Sequence, residues 1–121
     1  MPHNTTKPIV LICGSGSIKN LQLDRYVRPQ SCGAVVQGAD TMIDIILDSW
    51  NKSNKIENVI YQPNYKVYKK DASIVRDKEM VDFCDVVIAF WNGENDNISS
   101  IIDYAKSIGR KVIVHLIKEY D

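Results

Sequence analysis

Cysteine, histidine and long apolar runs are scarce in this chain, and so is any excess of charge of one sign. The three cysteines, Cys13, Cys32 and Cys84, are odd in number and form no CxxC pair, which excludes a disulfide framework and fits reduced structural thiols. Histidine occurs only at His3 and His115, with no neighbouring ligand cluster, so no metal site and no cofactor is assigned. No apolar stretch approaches the roughly 20 residues that span a bilayer. The first seven residues lack the apolar core of a secretory leader, and 1–7 is expected to be flexible. A cytoplasmic protein with no membrane partner is therefore expected. Lys plus Arg and Asp plus Glu number 15 each, which argues against a polyanion-coating surface and stable nucleic-acid binding. Repeats, linkers and low-complexity tracts are also missing, and 121 residues suit one domain over 8–121.

What is present is a hydrophobic content of 45% arranged as short apolar runs alternating with segments of helical spacing. That alternation is the pattern of βα units around a parallel sheet. Strands are expected over 8–13, 33–37, 58–61, 85–91 and 111–117. Helices are expected over 18–27, 39–53, 71–83 and 98–108, the third with Asp71 as N-cap and the last closed by Gly109 at C′. Segment 65–70 is compatible with a loop or a short helix. About five mainly parallel strands with helices between them give an α/β, Rossmann-like, three-layer doubly wound sheet. Ligands of such sheets bind outside the carboxyl ends of the strands, so the loops after Cys13, Gln37, Tyr61 and Trp91 become the candidate site.

The first of these loops, Gly14-Ser15-Gly16-Ser17, leaves a buried strand toward an expected helix, where backbone N–H groups can cradle a phosphate. It is neither a Walker A motif nor a full GxGxxG fingerprint, and a plain strand-to-helix turn would read the same way. In the second, Gly38-Ala39-Asp40, the acid either caps the next helix or accepts hydrogen bonds from a sugar or a base. Arg76 is either a bidentate phosphate clamp or a surface ion pair with Asp77, Glu79 or Asp82. Trp91 stacks on a base or roofs the core, and Tyr61, Tyr65 and Tyr68 pose the same choice. Asn92, Gly93, Glu94, Asn95, Asp96 and Asn97 form either a polar ligand loop or a solvated turn.

Together these fragments resemble the SLOG superfamily, which includes the Lonely Guy phosphoribohydrolases and DNA-processing proteins, and in particular its small YpsA-related members. The matching points are Gly14-Ser15, Gly38-Ala39-Asp40 with Trp50, Arg76 with Met80, and the run Asp85-Val86-Val87-Ile88-Ala89-Phe90-Trp91-Asn92-Gly93. Ile102-Asp103-Tyr104-Ala105 and Gly109 continue the match. The resemblance implies nucleotide or nucleotide-derived ligands and strengthens Gly14, Ser15, Asp40 and Arg76 as site residues; Gly16, Ser17, Gly38, Trp91, Asn92, Gly93 and Asn97 of the same loops complete the expected ligand-binding set. It also implies a homo-oligomer. Catalytic relatives carry a Gly-Thr pair and then a glutamate; here those places fall on Asn97 and Ile98 and on Ser100 or Ile101, which cannot do a carboxylate's work. The expectation is thus a non-catalytic sensor or sequestering protein. The alternative is an N-glycosidase, a phosphoribohydrolase or deoxyribosyltransferase-like enzyme, using Glu94, Asp96 or Asp103.

Overall fold

A computed structural model of the chain describes residues 7–118; the expected flexible segment 1–7 falls almost entirely outside them. Five strands form one parallel sheet: β1 (Ile9–Gly14), β2 (Ala34–Gln37), β3 (Asn58–Ile60), β4 (Val86–Trp91) and β5 (Lys111–Leu116), in the order β3-β2-β1-β4-β5. The helices are α1 (Met42–Ser53), α2 (Tyr65–Tyr68), α3 (Ala72–Phe83) and α4 (Asn97–Ser107). The chain winds outward from β1 through β2 to β3, then crosses to β4 and β5. This is the Rossmann-like α/β architecture, with the direction of winding reversed between β1 and β4.

Period-2 alternation divides the apolar strand residues between two cores. Val10, Ile12, Val35, Ile88 and Phe90 face one side, where Ile43, Leu47 and Trp50 of α1 cover them. Leu11, Cys13, Val36, Val87 and Ala89 face the other, under Met80 and Val81 of α3 and Ile98, Ile101, Ile102 and Ala105 of α4. These two helical layers on a central sheet make the three-layer stack. Among the described residues no helix is long and apolar enough to cross a membrane.

The helix expected over 18–27 does not form. In its place the chain crosses the sheet in irregular conformation, with 3-10 turns at Leu23–Arg25 and Pro29–Ser31. Gly16, Ser17 and Asn20 are poor helix formers, while tertiary anchors are strong. Ile18, Leu23, Val27 and Cys32 each drop separately into the first core, and Trp50 Nε1 donates to Asp24 at 2.7 Å. Asp71 occupies the N-cap position of α3 but makes no side-chain capping bond. Segment 65–70 becomes α2 followed by a 3-10 turn at Lys69–Asp71.

Gly14 is explained by packing. A Cβ at this position would lie 2.6 Å from Ile43 Cγ1, so α1 seats directly on the end of β1 only because residue 14 has no side chain. Gly14→Ala is expected to destabilise the fold by about 1–3 kcal/mol, the usual cost of overpacking. In an Ile43→Ala background the same change costs less; an equal cost in both backgrounds, read from denaturant unfolding, would remove Ile43 as the cause.

Candidate functional site

At the carboxyl edge of β1 and β2 the start of α1 faces α3 and the start of α4 across a shallow, solvent-open crevice. Cys13 and Gly14 line it together with Gly38, Asp40, Thr41 and Asp44 from the β2–α1 connection. Arg76, Asp77 and Met80 of α3 and Asn97, Ile98 and Ile101 of α4 complete the lining. The position beside the switch point between β1 and β4 is where sheets of this topology take their ligands.

Arg76 organises the crevice. Only 2% of the residue is exposed, and each guanidinium nitrogen has a partner. Nη2 donates to Asp40 Oδ2 at 3.0 Å, Nε to Asp77 Oδ1 at 2.8 Å and Nη1 to the Tyr61 carbonyl at 3.4 Å. Burial alone would lower its pKa, but the hydrogen bond and charge of Asp40, with the charge of Asp77, raise it above the ordinary value. Gly38 makes room for this group, since a Cβ there would sit 3.0 Å from Arg76 Nη1.

Both helix starts at the crevice are occupied by the chain's own oxygen atoms. Thr41, not Asp40, is the N-cap of α1, and its Oγ1 accepts from Asp44 N at 3.3 Å. The Asp44 carboxylate accepts in return from the backbone N–H groups of Asp40 and Thr41, at 2.9 and 3.1 Å. At α4, Asp96 Oδ1 accepts from Ile98 N and Ser99 N at 3.0 and 3.2 Å. The N–H groups that could bind a phosphate at these two helices are thus partly saturated. Desolvation raises the pKa of Asp44 and that of Asp77; backbone hydrogen bonds oppose the rise in Asp44, and Arg76 opposes it in Asp77. Burial likewise pushes the Cys13 thiol far up, so the crevice floor holds an inert thiol rather than a nucleophile.

Of the residues proposed from sequence, the crevice gathers Gly14, Gly38, Asp40, Arg76 and Asn97. The others lie beyond its lining. Ser15 is fully buried; its N–H donates to the Phe90 carbonyl at 2.9 Å and its Oγ accepts from Asn92 N at 3.1 Å, tying β1 to β4. Asn92 Nδ2 donates to Ser17 Oγ at 2.8 Å. Among the described residues no acceptor meets the backbone N–H of Gly16 or Ser17, yet no helix dipole stands behind that turn. Trp91 packs against the second core and donates from Nε1 to the Glu94 carbonyl at 2.7 Å. Gly93, with φ of +88°, turns the chain beneath it. Glu94 and Asp103 are exposed, and Asp96 is engaged as the cap of α4.

Asp77, Asp44 and Thr41 are site residues that the sequence did not single out. Asp77 entered only as an ion-pair partner for Arg76, because the burial of neither residue is visible in the sequence. Set against known proteins, the chain matches no family model, no curated protein and no solved structure.

The raised Asp44 pKa has a consequence for stability. The native state holds this proton more tightly than the unfolded chain does, so the associated stability is fully present below about pH 4, the ordinary aspartate range. It is lost as pH rises through the raised native value. Asp44→Asn should flatten that fall in urea unfolding free energy measured from pH 3.5 to 7. An unchanged slope would mean that Asp44 is not the titrating group.

Proposed function

We propose that the chain binds a nucleotide or nucleotide-derived ligand at the carboxyl edge of the sheet, acting as a sensor or sequestering protein. The observation that carries this reading is the buried Arg76 with its two carboxylates, set in a crevice beside the switch point. Asp40 accepts from one edge of the guanidinium through Nη2, while 51% of its side chain stays exposed. A carboxylate fixed in this way accepts hydrogen bonds from vicinal ribose hydroxyls or from an exocyclic base amine. Arg76 fixes the reader in place and is not the phosphate clamp, because its own charge is already spent on Asp40 and Asp77. The ligand's sugar or base enters the crevice and its phosphate points outward. The SLOG resemblance over Gly38-Ala39-Asp40, Arg76 and 85–93 supports the same assignment, and with it a cytoplasmic homo-oligomer.

Calorimetry against nucleoside phosphates, NAD and its cyclic derivatives is the test. At least one should bind, and Asp40→Asn should weaken it by about tenfold, on the order of 1.4 kcal/mol for one lost charge-assisted bond. If nothing in the panel binds the wild-type protein, the proposal fails.

A second reading, an N-glycosidase, draws on Asp77. Its side chain is 11% exposed, desolvated and inside the crevice, the kind of environment in which an acid, base or nucleophile works on a glycosidic bond. Glu94 and Asp103 do not share that environment. On this reading free base is released from a nucleoside monophosphate, and Asp77→Asn lowers the rate by at least a hundredfold while the ligand still binds. Chromatography of the products would decide against it if base release were undetectable in wild type or unaffected in the variant.

A further inference from the structure

The crevice lining carries Asp40, Asp44 and Asp77 against one arginine, so it cannot balance a phosphate. The charge must be met nearby. Residues 58–70 contain Lys66, Lys69 and Lys70 and not one acidic residue, in a chain whose formal net charge is zero. All three lysines are exposed, and the ion pairs found among the described residues both belong to Arg76. Interleaved with them are Tyr65 and Tyr68, exposed at 61% and 41%.

This basic, aromatic segment lies outside the crevice lining and is tied at two points to α3, the helix that carries Arg76. Tyr61, at its start, gives its carbonyl to Arg76 Nη1. The Tyr65 hydroxyl lies 3.5 Å from Ser73 Oγ, and Ser73 is one helical turn before Arg76 and Asp77 on α3. The backbone of Lys69 adds an independent sign. Its φ is +55° with ψ of −128°, a conformation that glycine adopts readily and that strains a side-chain-bearing residue. Strain of this kind persists where the surrounding structure over-determines it, and it clusters at functional sites. Across the edge, Lys19 follows the 14–17 turn, and its Nζ already donates to the Gly16 carbonyl at 2.8 Å.

We propose that the crevice ligand carries more than one phosphate and that its outer phosphates lie on Lys66, Lys69 and Lys70 of the segment entering α3. This rests on the nucleotide-binding reading above and narrows it to polyphosphorylated nucleotides. Each additional phosphate meets unpaired ammonium groups instead of the crevice carboxylates, so affinity rises with phosphate number and falls with salt.

The experiment is calorimetry of the full chain with the mono-, di- and triphosphates of adenosine and guanosine. Affinity should rise at least tenfold from mono- to triphosphate. That increment should vanish in Lys66→Ala/Lys69→Ala/Lys70→Ala, with monophosphate binding and Tm retained, and should survive in Lys19→Ala. Lys69→Gly separates the chemistry from the fold, since it should raise Tm while lowering triphosphate affinity. Equal affinities along the wild-type series, or an increment lost in Lys19→Ala and kept in the triple variant, would overturn the lysine assignment and leave the crevice reading standing. If none of the six binds while another ligand of the wider panel does, the lysine assignment alone is rejected. Failure of every ligand removes both.

Discussion

The molecule's carboxyl edge is held together by one buried cation. Arg76 leaves α3, passes beneath the loop after β2 and ends against Asp40, while its Nε stays on Asp77 of its own helix and its Nη1 takes the carbonyl after β3. Two loops, those after β2 and β3, and helix α3 itself thus meet at one guanidinium. Removing one partner of a buried, hydrogen-bonded pair leaves the other uncompensated at a cost of about 3–5 kcal/mol. The arrangement is therefore structurally expensive to disturb even where it adds little net stability. Gly38 is subordinate to it, because a methyl group at that position would press on Nη1.

The same cation determines what the crevice can recognise. With the guanidinium satisfied by two carboxylates, and with Asp44 and Asp96 accepting from N–H groups at the starts of α1 and α4, the usual anion-binding devices of a Rossmann-like edge are turned inward. What remains available to a ligand is acceptor capacity, above all on the half-open Asp40 carboxylate. Hydroxyls and amines fit such a surface, and phosphates do not. A nucleotide can be accommodated only if its uncharged and charged parts are read by different elements, which is the division of labour proposed between the crevice and the lysines before α3.

Strand residues were readable from sequence because a parallel strand buried on both faces leaves an uninterrupted apolar run, as at Pro8-Ile9-Val10-Leu11-Ile12-Cys13 and at Val86-Val87-Ile88-Ala89-Phe90. Helices α1, α3 and α4 were readable from their 3.6-residue spacing, and all five strands and their parallel sheet follow. Residues 18–27 misled for a definable reason. Ile18, Leu21, Leu23, Tyr26 and Val27 approximate helical spacing, but their anchoring points are spread across the sheet, and periodicity does not encode where a side chain's partner lies. The two glycine loops were ambiguous for a similar reason. A glycine admitting a phosphate and a glycine admitting Ile43 or Arg76 look alike until the neighbour is placed. Asp77 was invisible as a site residue because burial of an acid on an otherwise polar helix depends on α4 packing beside it.

The missing helix between β1 and β2 has the widest functional reach. In a doubly wound sheet that helix covers the face over β1 and β4 and aims its N-terminus at the bound phosphate. Here the covering is done piecemeal, by Ile18, Leu23 and Val27 and by Tyr26, whose ring lies against Phe90 and His115 at centroid distances of 5.2 and 4.8 Å. The hydrophobic function of the helix is thereby replaced, but its dipole is not. The Gly16 and Ser17 amides are left without the aligned peptide array that makes such a turn strongly anion-selective. Positive potential at this edge then has to come from side chains, and the unpaired cluster nearest Arg76 along the chain is Lys66, Lys69 and Lys70. On the reading proposed above, the absence of a helix on the β1 side and the presence of a lysine-rich segment on the β3 side belong together, because the anionic end of the ligand would lie at the outer turn of the sheet's winding instead of at its start.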